Sequence, residues 1–215
     1  MKKIFFNDKF SLTQAVLEGR KTRTRRIIPQ SVIDKVNQFK VEYYNLSLDY
    51  ISEIQAIRQY FFIDKVGKLP YKLGEVVAVA QSYKDAGVHF LPEEDDEFGC
   101  HNFPAEQTSG WTNKMFTRAD LMPHRIRITN VRVERLQDIS DDDCIAEGVE
   151  KVKECENLYR VPIYHKSGRI TYISANTPRE AYAALIDKIS GKGTFASNPF
   201  VFVYDFELVG KEAGK

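Results

Sequence analysis

Net charge, sulfur and tryptophan are the scarce quantities in this chain. Across 215 residues, 31 Lys and Arg face 30 Asp and Glu, leaving a formal charge of +1. That balance excludes a protein that coats nucleic acid through bulk positive charge, so any anion site must come from local clustering. Cysteine occurs three times, at Cys100, Cys144 and Cys155, and no C-x-x-C pair is present. Such spacing suits neither a disulfide scaffold nor a structural zinc site, and it points to a reducing compartment. No run approaches the ~18 consecutive apolar residues of a membrane-spanning helix. Met1-Lys2-Lys3 opens like the basic end of a leader peptide, but Asn7, Asp8 and Lys9 interrupt the apolar stretch behind it. The expectation is a cytoplasmic protein with no membrane contact. Gly191-Lys192-Gly193 completes neither a P-loop nor a dinucleotide fingerprint, which removes those nucleotide folds.

What is present reads as an ordinary globular chain. Hydrophobic residues make up 43% and charged residues 28%, in the range of packed domains. No linker-like stretch divides it, so residues 1–215 are expected to form a single domain. Strands are expected at 3–7, 76–80, 124–136 and 199–207, the third from its clean alternation Arg125-Ile126-Arg127-Ile128 and Val131-Arg132-Val133-Glu134. Ser11 should cap a helix over 12–18 that stops at Gly19. Ser140 should cap another through Ala146, with Asp141, Asp142 and Asp143 at its positive end. Residues 31–65 carry helical spacing, 158–164 and 169–174 suggest a hairpin, and Pro178 opens a helix to about Ile189. Many short strands with few helices between them indicate an α+β fold built on a small mixed barrel.

The densest chemistry lies in Gly19-Arg20-Lys21-Thr22-Arg23-Thr24-Arg25-Arg26, with five basic residues in eight. A glycine at a helix end, followed by lysine and arginine, offers backbone donors and positive charge together, a combination suited to phosphate. A solvated basic stretch explains the composition equally well. In an extended chain Arg23 and Arg25 share one face, and Thr22, Thr24 and Arg26 the other.

In its setting, the stretch resembles the signature of the ASCH domain, a PUA-like barrel family. The pattern Gly-x-Lys-x-x-(Glu or Thr)-x-Arg is matched by Gly19, Lys21, Thr24 and Arg26. The similarity continues, in order, through Tyr71 to Val77, Leu121 to Ile126, Val131 to Ile139, Ala146 to Val149 and Asn198 to Val203. It is closest in character to the larger phage and prophage branch, with 31–68 and 84–114 as insertions. Gln81 and Ala80 depart from that branch, where glutamate and arginine are frequent.

The resemblance implies a PUA-like mixed β-barrel with helical and loop insertions, and a cleft that takes RNA, a nucleotide or a modified base. Arg20, Arg23, Arg25 and Arg26 would contact phosphate or base, and Tyr83 or Trp111 would stack. It also implies an alternative. Small relatives are amidohydrolases that remove the acetyl group from N4-acetylcytidine with a Lys, a Thr and a Glu. Those residues fall on Lys21 as base, Thr24 as nucleophile and Glu147 as orienting or acid group. No metal or organic cofactor is called for. Each cysteine, Cys100 beside His101 included, is read as a buried or surface thiol, His124 as a packing or hydrogen-bonding residue, and Glu93 to Glu97 as a solvated acidic loop.

Overall fold

A computed structural model of the chain describes residues 1–44, 52–92 and 102–209. Its strands are β1 (Lys3–Ile4), β2 (Arg23–Ile27), β3 (Val76–Val79), β4 (Phe90–Pro92), β5 (Asn102–Pro104), β6 (Arg125–Arg135), β7 (Glu150–Lys151), β8 (Tyr159–Tyr164), β9 (Ile170–Ala175) and β10 (Phe200–Val209). Its helices are α1 (Leu12–Leu17), α2 (Gln30–Tyr44), α3 (Glu53–Arg58), α4 (Tyr83–Ala86), α5 (Asp141–Ala146), α6 (Pro178–Ser190) and α7 (Thr194–Ser197). The acidic run Glu93 to Glu97 and the pair Cys100-His101 lie outside the described residues.

Five strands form one mixed sheet in the order β1-β3-β6-β10-β2, with β1 parallel to β3 and the other neighbours antiparallel. The fold is α+β, and the closed barrel expected from the sequence is not formed. Among the described residues no ladder joins β1 to β2, so the sheet stays open between its edges. Only a side chain spans that opening: Arg26 Nη2 donates to the carbonyl of Phe5 at 2.5 Å. Two smaller sheets, β4-β5 and β7-β8-β9, are appended.

The alternating strand behaves as its pattern demands. β6 runs unbroken for eleven residues along β10, and the register slips once, opposite Asp205 and Phe206. Every residue from Phe200 to Tyr204 is buried, because β10 is an inner strand covered on both faces. On one face Phe202 meets Phe61 edge-on at 4.9 Å, and Tyr204 meets Tyr71 at 5.4 Å. Val36, Ile57 and Phe61 belong to the main core. Residues 31–68, read from the sequence as outside the core pattern, thus supply one of its walls. Ala86, Val88, Leu91, Ala105 and Trp111 belong to a second, smaller cluster with Tyr83 and Met122.

Several helix starts follow local chemistry. Ser140 accepts from Asp143 N, and Thr177 accepts from Glu180 N ahead of Pro178. Ser52 and Gln55 form a reciprocal cap that restarts the helix at α3. Ser11, expected to cap α1, has φ +55° and no side-chain cap bond. It closes the preceding turn instead, donating its N–H to Asp8 O at 2.9 Å. No helix among the described residues is long and apolar enough to cross a membrane.

Candidate active site between the sheet edges

Two helix ends and one edge strand bring the basic stretch to its position. α1 ends before Gly19, which has φ +73°, and the chain turns so that Lys21 N donates to Ala15 O at 2.9 Å. Thr22 N then donates to Ala146 O at 3.0 Å, pinning the stretch to the last turn of α5. α5 stops at Glu147 because Gly148 takes φ +106°. The Glu147 carbonyl, orphaned by the helix end, accepts from Lys21 Nζ at 2.8 Å. Lys21 therefore lies before β2 rather than within it, and strand alternation does not force it away from Thr24.

Lys21 and Glu147 form a buried ion pair. They are 2% and 5% exposed, and Nζ stands 2.6 Å from Glu147 Oε2. The third Nζ proton goes to Arg23 O at 2.7 Å, so the ammonium is fully satisfied. Burial lowers the Lys21 pKa; Glu147 opposes that shift, and Arg26 and Arg25 add to it. The Phe6 ring lies 5.8 Å from Nζ and the same distance from Arg26 Cζ.

Of the arginines expected to bind phosphate, Arg20, Arg23 and Arg25 are engaged by carboxylates, whereas Arg26 donates to the Phe5 carbonyl. Arg25 reaches Glu134 Oε1 at 2.5 Å, Asp143 Oδ2 at 2.6 Å and Glu147 Oε1 at 3.2 Å. Arg23 pairs with Asp143 and Asp205, and Arg132 Nη1 holds Asp205 Oδ2 at 2.9 Å. Four cations, Lys21, Arg23, Arg25 and Arg132, thus face four carboxylates, Glu134, Asp143, Glu147 and Asp205. Strand alternation is the cause: Arg23 and Arg25 share the face of β2 turned towards α5, as the sequence predicts. Arg20 is half-exposed and paired with Glu18 and Glu150.

Lys21, Thr24, Arg25, Arg26 and Glu147 line one cavity of about 230 Å3. Phe5 and Phe6 form its wall beyond β1, and Tyr182, Leu185 and Ile186 close it from α6. The three residues carried over for hydrolysis therefore converge, although no hydrogen bond joins Lys21 Nζ to Thr24 Oγ1. The two expected stacking residues do not join them. Tyr83 is 2% exposed inside the second cluster, its hydroxyl accepting from Arg118 N at 2.9 Å. Trp111 is half-buried there beside His89, 5.8 Å between ring centroids. Both pack into the second cluster instead, and neither lines the cavity.

Sequence reasoning did not single out Glu134, Asp143, Asp205, Arg132 or Tyr182. Asp143 was visible only as an acid at a helix start, and Glu134 only as one polar position of an alternating strand. A second hollow, of about 480 Å3, holds His124, whose Nδ1 is 2.8 Å from Gln81 Oε1, together with Asp8 and Asp85. Those carboxylates are engaged by Lys114 and Ser82. Among the described residues no cluster of three or more His, Cys, Asp or Glu could hold a metal ion. Comparison with known proteins finds no matching family model, no matching curated protein and no matching solved structure.

Proposed function

We propose that the chain is an amidohydrolase acting on an acylated nucleobase or nucleoside of the N4-acetylcytidine type. Lys21 is the base, Thr24 the nucleophile, and Glu147 holds Lys21 and exchanges a proton with it. The observation that carries this reading is the convergence of those three residues, distant in sequence, on one small cavity. The pairing of Arg20, Lys21, Arg23 and Arg25 with carboxylates weighs in the same direction, because a polynucleotide would meet mostly paired charges there.

The chemistry is consistent with that geometry. A proton passing from Lys21 Nζ to Glu147 Oε2, across 2.6 Å, replaces two buried charges with two neutral groups. The free amine then takes the proton of Thr24 Oγ1 as that oxygen attacks the amide carbonyl carbon. The C–N bond breaks, the departing amine takes the proton from Nζ, and an acyl ester remains on Thr24. Water, activated by the same amine, cleaves the ester and restores the hydroxyl. The sum is amide plus water giving amine plus carboxylic acid. Thr24 Oγ1 must come within hydrogen-bond reach of Nζ when substrate binds, a tightening common to resting sites. The same reading takes the open sheet as a PUA-like core, parted between β1 and β2 where the cavity lies, in a cytoplasmic protein.

One observation favours a second reading, nonhydrolytic binding of RNA or a modified base. The three protons of Lys21 Nζ are all engaged, an arrangement that also suits a purely structural ion pair. The deciding experiment is incubation of the purified protein with N4-acetylcytidine, with cytidine release followed by chromatography. The hydrolytic reading expects release that Thr24→Val abolishes without altering the melting temperature. A folded wild-type protein that releases no cytidine overturns it for this substrate and leaves the binding reading.

A further inference from the structure

Tyr182 carries a hydroxyl for which the fold supplies no partner. The side chain descends from α6, is 1% exposed and lines the cavity that holds Lys21, Thr24 and Glu147. Its Oη has no hydrogen-bond partner; among the described residues Tyr204 shares that condition, but Tyr204 does not line this cavity. An unpaired buried hydroxyl is destabilising, and phenylalanine would fill the same space without it. Burial, with Glu147 next in influence, raises the phenol pKa well above its usual value, so the group remains a proton donor.

Two of the cavity's cations are spent on carboxylates. Lys21 Nζ is saturated, and Arg25 uses Nε, Nη1 and Nη2 on Glu134, Glu147 and Asp143. Both Glu147 oxygens are already acceptors for those cations. A ligand therefore meets a neutralised cluster of Lys21, Glu147 and Arg25, the Arg26 guanidinium held to the Phe5 carbonyl, the Thr24 hydroxyl, apolar side chains from α6 and the unpaired phenol. A neutral, buried phenol suits a carbonyl oxygen on an uncharged planar ring. If the acyl carbonyl faces Thr24 for attack, the ring's own carbonyl remains for the phenol.

We infer that Tyr182 is a specificity-determining residue whose hydroxyl donates a hydrogen bond to the ring carbonyl oxygen of an uncharged pyrimidine base. The inference rests on reading this cavity as a nucleobase site, and does not depend on hydrolysis. The test is calorimetric titration of wild-type protein and Tyr182→Phe with cytosine and with 4-aminopyrimidine, which lacks the ring carbonyl. Wild type should prefer cytosine roughly tenfold or more. Tyr182→Phe should lose that preference while melting at or above the wild-type temperature, since it removes an unpaired polar group. Equal cytosine affinity in the two proteins overturns the inference, as does wild-type protein that binds no cytosine. Cytosine binding lost in Tyr182→Phe, with no release from N4-acetylcytidine, would remove the hydrolytic reading and leave this one standing.

Discussion

Replacing Glu147 with glutamine tests the centre of the site most directly. The substitution keeps the shape and removes one charge. Arg25 retains Glu134 and Asp143, but Lys21 is left with two backbone carbonyls and no anion, at 2% exposure. Breaking a buried pair in this way costs about 3–5 kcal/mol, which for a chain of this size lowers the melting temperature by about 6–20 °C. The cost must depend on pH. With Glu147 gone, burial acts on Lys21 without its main opposing influence, so its pKa falls further than in the wild type. Between that lowered value and the ordinary 10.5, the unfolded chain holds a proton that the native state has released. Stability rises with pH through that window, and more so in the variant. Urea unfolding at pH 7 and at pH 10 should show the deficit shrinking at the higher pH. A deficit below about 1 kcal/mol, or one unchanged at pH 10, would refute the buried pair. Replacing both residues, as Lys21→Met with Glu147→Leu, should recover most of the loss, since no unpaired charge remains.

Two further outcomes follow from the same geometry. A methyl group at Gly148 would stand 3.1 Å from Leu12 Cδ2 and 3.8 Å from Lys21 Cδ, at φ +106°. Gly148→Ala should therefore destabilise by more than about 1 kcal/mol in urea unfolding and lower any cytidine release. Asp205 tests the acid limit. Burial acts to raise its pKa, but hydrogen bonds from Arg23 and Asn130 prevail and hold it below the usual 3.8. Its stabilising contribution is complete above that value and is lost as pH falls through the lower one. Asp205→Asn should flatten the wild-type loss of stability below pH 3.8, measured by circular dichroism.

Much of the fold was legible because local rules decided it. The alternation of β6, the Ser140 cap and the Pro178 start each depend on neighbours a few residues away, and each folds as written. Barrel closure depends on two short edges meeting, and nothing local to Lys3–Ile4 or Arg23–Ile27 reports whether they do. The role of residues 31–68 was hidden for a related reason. Helical spacing showed that Val36 and Ile57 face something apolar, but not that Phe61 beside them packs on Phe202 of β10.

The site shows where charge counting fails. Gly19 to Arg26 reads as a basic patch because composition records charges along the chain, whereas affinity depends on charges left unpaired in space. The carboxylates that engage Arg23 and Arg25 come from positions 134, 143, 147 and 205, on three separate elements. Alternation nonetheless assigned Arg23 and Arg25 to one face of β2, which is why the network gathers there. Thr24 and Arg26 fall on the other face, towards the Phe6 side of the open edge. An edge strand exposes both faces to one opening, so buried ion pairs and a nucleophilic hydroxyl can border a single cavity. Lys21 enters from before β2 and Glu147 from the end of α5, so both border the cavity that Thr24 lines beside the gap between β1 and β2.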